Sequence, residues 1–254
     1  MSETIEKIIT LAKLIKKAKK TVALTGAGIS VESGIDPFRG KNGIWAKYDP
    51  EEYAYIDAFI KNPAKVWQML QELLTVIISA KPNEGHKGLA RLEETGYLDS
   101  IITQNVDGLH QAAGSKKVIE FHGNNMWLVC LECNERFKTN REIIEKIPPR
   151  CHCKGILRPD VVFFGEPIPY HAMAEATAKA ESCDLMLVIG TSAIVSPASE
   201  IPILAKNNGA MIVEINPEPT PLTFQIADFS IHEKAGFSIP IVVEEIKNMD
   251  QTYS

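Results

Sequence analysis

The chain has 254 residues, 45% of them hydrophobic, and a formal net charge of −5. That length suits one large α/β domain with an inserted module, or two modest domains, and the apolar share is enough for a sizeable core. The acidic balance argues against nucleic acid or an anionic membrane as partner, and no apolar run approaches the roughly 20 residues that span a bilayer.

The first element is a lysine-rich amphipathic helix with Ile5, Ile8, Ile9, Ala12 and Ile15 on one face. Lys16, Lys17, Lys19 and Lys20 suit its C-terminal end, where cations meet the negative pole of the helix dipole. The stretch lacks the continuous apolar segment of a secretory signal, so a cytoplasmic protein is expected. Unbroken apolar runs at Thr21–Thr25, Ser100–Gln104, Leu185–Thr191, Ala210–Asn216 and, more briefly, Phe229–His232 read as strands buried on both faces. Between them lie helical patterns. One opens at Asn62-Pro63, with a capping side chain and a proline at the first position. Another is capped by Asn83, and others run over Ala172–Ala180, Pro197–Asn208 and Ile239–Lys247. Strands alternating with helices predict a parallel sheet covered on both faces.

Two stretches break this rhythm. Residues 35–57 are rich in Gly, Pro and aromatic side chains and read as a loop that covers a ligand. Residues 124–158 carry four of the five cysteines and Pro148-Pro149. Without a secretion signal, such clustering favours a metal over disulfides. Cys130-x-x-Cys133 is a zinc half-site. The other half, Cys151-His152-Cys153, has one intervening residue, so beside Cys153 as the last ligand the third is either Cys151 or His152. A closed site of this kind is structural, with no open position for a reacting water. Cys183 stands apart and reads as a small core residue.

Gly26-x-Gly28 follows a strand, and glycines at such a turn let the backbone approach a pyrophosphate. The third glycine of the dehydrogenase fingerprint is missing at the expected spacing; Ser30 and later Ser33-Gly34 stand instead. Gly190-Thr191-Ser192 and Asn216-Pro217-Glu218 end two further strands, where open α/β sheets bind dinucleotides. The string Thr103-Gln-Asn-Val-Asp-Gly-Leu-His110 offers amides and a carboxylate for a ribose and a carboxamide. In Phe121-His122-Gly123 the histidine is a base that titrates near neutral pH. His86, His110 and His171 read as structural histidines.

Taken together, Gly26-Ala-Gly-Ile-Ser30, the string 103–110 and Phe121-His122-Gly123 resemble the sirtuins, the NAD-dependent protein lysine deacylases, over nearly the whole chain. The resemblance implies a Rossmann-like α/β fold: an open parallel sheet with helices on both faces and a small inserted zinc-binding module. It divides the chain into a nucleotide domain (1–34, 58–123 and 159–254), a cofactor loop with helical insertion (35–57) and the zinc module (124–158). It assigns Gly26, Ala27, Gly28, Arg39, Thr191 and Ser192 to the phosphates and nearby ribose. Asn216 and Glu218 go to the adenosine ribose, and Ala235 to the neighbourhood of adenine. Phe38 covers the nicotinamide ribose, and Ser30, Ile35, Val106 and Gly190 complete the cofactor contacts. Sirtuin chemistry expels nicotinamide and captures C1′ with the acyl oxygen of a modified lysine, after which a base activates a ribose hydroxyl. By the match His122 is that base, Asn105 organises the ribose and a water, Asp107 accepts from the carboxamide, and Gln104 supports the ribose and His122.

Val162, Phe164 and Gly165 would meet the acyl-lysine peptide, which pairs as an added strand. The four metal ligands implied are Cys130, Cys133, Cys151 and Cys153. One departure is the proline after Gly34-Ile35, here displaced by one residue to Pro37. Succinyl-preferring members carry a Tyr-x-x-Arg pair where this chain has Leu70 and Leu73, which implies acetyl and longer apolar acyl groups. Other readings are a mono-ADP-ribosyltransferase or NAD glycohydrolase, and, outside enzymes, a zinc-ribbon binding module.

Overall fold

The computed structural model describes residues 2–38 and 43–251. Its strands are β1 (Thr21–Thr25), β2 (Ser100–Thr103), β3 (Val118–Glu120), β4 (Gly123–Cys130), β5 (Arg136–Lys138), β6 (Leu157–Val161), β7 (Leu185–Ile189), β8 (Met211–Ile215) and β9 (Phe229–Ile231). Helix α1 (Glu3–Lys17) precedes β1; α2 (Ile44–Lys47), α3 (Pro50–Tyr53), α4 (Ile56–Lys61), α5 (Pro63–Ser79) and α6 (Glu84–Glu94) precede β2. Then come α7 (Leu109–Ala112), α8 (Arg141–Glu145), α9 (Tyr170–Ser182), α10 (Glu200–Asn207), α11 (Pro221–Gln225) and α12 (Ala235–Gln251).

Six strands form one sheet in the order β3-β2-β1-β7-β8-β9, every adjacent pair parallel. Side chains alternate across it, as a period of two requires. Ala23, Ile101, Leu187 and Val213 join one core with apolar residues of α1, α6 and α12. Val22, Leu24, Ile102, Met186, Val188 and Ile212 join the other with α9 and α10. Each Leu or Ile buried in these layers contributes roughly 1.5–3 kcal/mol before entropy is counted. The expected doubly covered parallel sheet is present.

Several boundaries differ from the sequence reading. α1 ends at Lys17, and the backbone N–H groups of Lys19 and Lys20 donate instead to the Asp184 carboxylate at 2.8 Å each. β3 was not expected; it has three residues, too few for a periodic signal. Residues 197–199 form turns before α10. α12 starts at Ala235 and runs through Pro240, which as an interior proline signals a helix boundary in sequence.

Strands β5-β4-β6 make a separate antiparallel sheet. Within it β4 has eight residues, its apolar signal in the sequence diluted by Asn124 and Asn125. α4 and α5 pack here: Phe59 of α4 and Val66, Trp67, Leu70 and Leu74 of α5 share a core with Leu128, Cys130, Ile144, Cys151, Leu157 and Phe163. Trp67 Nε1 donates to Leu157 O at 2.9 Å. The packing thus groups α4 and α5 with the cysteine module, where the sequence division gave 58–79 to the nucleotide domain.

Candidate active site

The connection from β1 leads outward to β2 and β3, while β7 leads the other way to β8 and β9. Such a switch point opens a crevice beyond the carboxyl ends of the two central strands. Thr25 stands level with Thr103 and Ile189 in the ladder, so the tips of β1, β2 and β7 end together. There the backbones nearly touch: Gly28 N donates to Gly190 O at 2.7 Å and Gly26 N to Ile189 O at 3.0 Å. A Cβ on Gly28 would lie 2.7 Å from Gly190 Cα, and one on Gly190, whose φ is +61°, would lie 2.4 Å from Ile29 N. These glycines therefore have a packing cause, whatever ligand they also serve. The turn leads not into an α-helix but into a 3-10 segment, Ala27–Ser33, which offers the phosphates less of a helix dipole. Oriented donors remain, since the backbone N–H groups of Thr191 and Ser192 have no hydrogen-bond partner among the described residues. This donor set fits a pyrophosphate.

The segment after β2 lies under the crevice. Gln104 Nε2 donates to Thr191 Oγ1 at 3.0 Å, linking the tips of β2 and β7. Asn105, 7% exposed, donates through Nδ2 to Gly26 O and to Ser30 Oγ, both at 3.1 Å. Asp107, 6% exposed, accepts from Ser30 Oγ at 2.7 Å and from Leu109 N at 2.9 Å. Three segments far apart in sequence are thereby fixed to one another before any ligand arrives.

His122 follows the buried Phe121, whose ring it meets edge-on at 5.4 Å. Its Nδ1 lies 3.0 Å from Gln104 O. A carbonyl can only accept, so Nδ1 carries the proton and Nε2 keeps its lone pair. Burial lowers the imidazole pKa below its usual value, against a smaller upward pull from that carbonyl. A neutral ring with one committed nitrogen is what a general base requires.

Residues 162–166 flank His122. Val162 N donates to His122 O at 2.9 Å. Phe164 donates to Ala54 O at 2.9 Å and accepts from Ile56 N at 3.0 Å, and its ring meets Tyr55 at 5.4 Å. Its main chain is thus already spent. Gly165, exposed with φ +88°, is the position in this run whose backbone groups have no partner among the described residues. Arg158 braces the run through two 2.6 Å bonds to the Glu166 carboxylate and one to Val161 O, and Glu166 also accepts from Phe163 N at 2.9 Å. Partial burial opposes the charge on Glu166, but Arg158 and that N–H hold its pKa below the usual carboxylate value.

In the small module all four cysteines converge. Sγ atoms of Cys130 and Cys153 lie 3.5 Å apart, Cys133 and Cys153 3.5 Å, and Cys133 and Cys151 3.6 Å. A tetrahedral zinc with bonds of 2.3 Å has sulfur–sulfur edges of about 3.8 Å, so the cluster fits that ion. Gly155 permits the approach, since a Cβ there would sit 2.6 Å from Cys130 Sγ. The single-residue spacing brings Cys151 in with the other three thiols and leaves His152 outside, exposed and 3.2 Å from Glu135.

Comparison with known proteins decides the family. The Sir2 family pattern matches residues 26–197. An NAD-dependent protein deacylase of Aquifex aeolicus is 50% identical over 228 residues, covering 89% of this chain and 95% of the relative. The chain belongs to the Sir2 family. Among solved structures, an ADP-ribose complex of a Sir2 homologue variant superposes with a TM-score of 0.91 at 43% identity, covering 99% of this chain and 98% of that one. A Sir2 variant with a deacetylated p53 peptide and 3′-O-acetyl ADP-ribose gives 0.88 at 39% identity, with coverage of 93% and 97%.

The other positions that the resemblance singled out have contacts of their own. Phe38 stacks on Trp45 at 5.4 Å and Ile35 N reaches Ser30 O at 3.3 Å, so both belong to the loop leaving the 3-10 segment. Arg39 lies outside the described residues. Val106 is tied to Asn125 N through its carbonyl at 2.8 Å. Asn216 turns its amide onto Glu218 O at 2.6 Å, and Ala235 is buried at the start of α12. Cys183 is buried with its thiol on Ala180 O, and burial pushes its pKa up to about 11, as a core residue requires.

Sequence reasoning missed the polar layer beneath. Ser30 Oγ contacts His86 Nε2 at 3.4 Å, and Thr25 Oγ1 meets both Thr103 Oγ1 and His110 Nε2 at 2.9 Å. His86 and His110 are 0% and 1% exposed, their rings 4.9 Å apart. Burial lowers the His86 pKa to about 4 despite the upward pull of Asp107, and burial together with His86 lowers that of His110 to about 3. Glu214 was missed too. Fully buried, it accepts from Thr220, Thr223 and Ser230 and so clamps the base of the loop carrying Asn216 and Glu218.

Proposed function

We propose that this Sir2 protein removes acetyl groups from protein lysines, consuming NAD and releasing nicotinamide and O-acetyl-ADP-ribose. The observation that carries the reading is His122. Its Nδ1 is committed to Gln104 O, which leaves Nε2 as a neutral base beside the switch-point crevice. Bound NAD supplies an electrophilic C1′ carbon and a leaving nicotinamide. Everything else is positioning by the protein. Gly26, Ala27, Gly28, Ser30, Gly190, Thr191 and Ser192 seat the phosphates and nearby ribose, and Asn216, Glu218 and Ala235 the adenosine end. Ile35, Phe38, Arg39 and Val106 cover the nicotinamide half. Gln104 and Asn105 hold the reacting ribose, and Asp107, already braced by Ser30 and Leu109, faces the carboxamide. His122 takes a proton from a ribose hydroxyl at Nε2.

The peptide lies along Val162, Phe164 and Gly165. Because Phe164 spends its main chain on Ala54 and Ile56, strand-like pairing with the peptide centres on Gly165, and sequence preference is loose. Zinc in the four-thiolate cage is structural. Cysteines held for a metal rather than paired in disulfides suit a reducing compartment such as the cytoplasm. The test is incubation with NAD and an acetyl-lysine peptide, followed by mass spectrometry. Nicotinamide with O-acetyl-ADP-ribose supports deacylation. Nicotinamide with free ADP-ribose, or ADP-ribose attached to protein, would favour glycohydrolase or transferase activity instead.

A further inference from the structure

The one-residue spacing of the second cysteine pair puts a histidine beside a zinc-site thiol, and the sirtuin reaction gives that histidine nothing to do. His152 Nδ1 lies 3.2 Å from Glu135 Oε2, Cys151 Sγ lies 3.7 Å from His152 Nδ1, and Cys151 Sγ lies 3.9 Å from Glu135 Oε2. The two sulfur distances fall at the long end of hydrogen bonding to sulfur. They suit a different relation. A tetrahedral zinc with bonds of about 2.0–2.3 Å to nitrogen, oxygen and sulfur has edges of about 3.4 Å between N and O and about 3.6 Å from S to either. The observed triangle is within a few tenths of an ångström of that.

We propose a second divalent-metal site, formed by Cys151, His152 and Glu135, in which the Cys151 thiolate bridges to the ion held by the four cysteines. The donor set of sulfur, imidazole nitrogen and carboxylate suits zinc and its spectroscopic substitute cobalt. Four thiolates around one dication leave surplus negative charge, to which Glu135 adds, so a further cation is drawn to the outer side of Cys151. The guanidinium of Arg150, which opposes this, is held by Lys154 O at 2.8 Å. Both Glu135 and His152 are exposed, with side-chain exposures of 45% and 70%, so metal and a water for the fourth position have access. The ligands stand on anchored turns: Glu135 O accepts from Cys130 N at 3.0 Å, and Cys151 N donates to Gly155 O at 2.9 Å. Sharing one thiolate and ending in water, the outer site binds more weakly than the inner one.

The proposal rests on zinc in the four-thiolate cage, and the experiment separates the two. Holoprotein is dialysed against buffers of graded free zinc, and bound metal is counted by mass spectrometry. The wild type should retain one zinc throughout and take up a second at higher free zinc. His152→Ala and Glu135→Gln should each keep the first and weaken the second by about tenfold or more. Cobalt added to the zinc-loaded wild type should give a thiolate-to-metal charge-transfer band that His152→Ala lacks. A wild type that never exceeds one equivalent leaves His152 and Glu135 as a surface contact only and overturns the site. So does a second equivalent that both variants keep, or loss of the first from His152→Ala. Absence of even the first zinc overturns the cage reading and this proposal with it, whereas one tight zinc alone overturns only the outer site.

Discussion

The two buried histidines make the fold acid-sensitive in a window that carboxylates do not reach. With folded pKa values of about 4 for His86 and about 3 for His110, both rings stay neutral well below the ordinary histidine value of 6.5. As pH falls below 6.5 the unfolded chain takes up these protons and the folded chain does not. Stability is therefore full above that value and is lost as pH drops toward the folded pKa values. The slope approaches about 1.4 kcal/mol per pH unit for each ring, so going from pH 7 to pH 5 removes about 2 kcal/mol per histidine and about 4 for the pair. Against a typical domain stability of roughly 5–15 kcal/mol this is a large share. Carboxylates add to acid loss only near and below their own unfolded values. Urea unfolding at pH 7, 6 and 5 with fixed ionic strength measures the slope, and His110→Gln should remove about half of it. A wild-type stability that is flat from pH 6.5 to 5, or a slope unchanged in His110→Gln, would refute the argument.

His122→Ala should leave the fold and most NAD binding in place while lowering deacetylation by about 10²-fold or more, checked by product formation beside ADP-ribose affinity. Asp107→Asn should weaken nicotinamide inhibition and exchange more than ADP-ribose binding. It should also cost about 1–3 kcal/mol of stability, because an amide cannot accept from both Ser30 and Leu109 as the carboxylate does, and equal losses at both ends of the cofactor would count against it. Chelation should melt the small module before the parallel sheet, followed by tryptophan fluorescence from Trp67 and Trp127 with metal analysis; a single transition unaffected by chelator would contradict this. Leu70 and Leu73 pack into the module core and offer no donor to a distal carboxylate, so kcat/KM should favour an acetyl over a succinyl peptide by at least about tenfold. The reverse order would place a cation elsewhere in the pocket.

The central strands were legible because a parallel strand buried on both faces must be an unbroken apolar run, and Leu185–Ile189 is one. Strand tips follow from strands, so Gly26, Gln104, Thr191 and Asn216 could be placed near one crevice. The polar layer beneath was not legible. Ser30 and His86 are 56 residues apart and Thr25 and His110 are 85 apart, and a lone histidine in sequence carries no period or spacing to mark its partner. The apolar face of α5 was visible, but not what it faced: helical spacing states that a side is buried and is silent on which core receives it. The cysteine spacing likewise could not choose between Cys151 and His152, since adjacent residues differ in direction and only the backbone path sets it.

The packing of α5 has a mechanical consequence for the 35–57 stretch. Trp45, Tyr48, Tyr53 and Ile56, all within the 35–57 stretch, rest on the module's core. Lys47 and Lys65 tie the same stretch to α5 by ion pairs with Glu72 and Glu52. The stretch from Trp45 to Ile56 is therefore carried by the body that holds the four cysteines, and any displacement of that body takes the stretch with it.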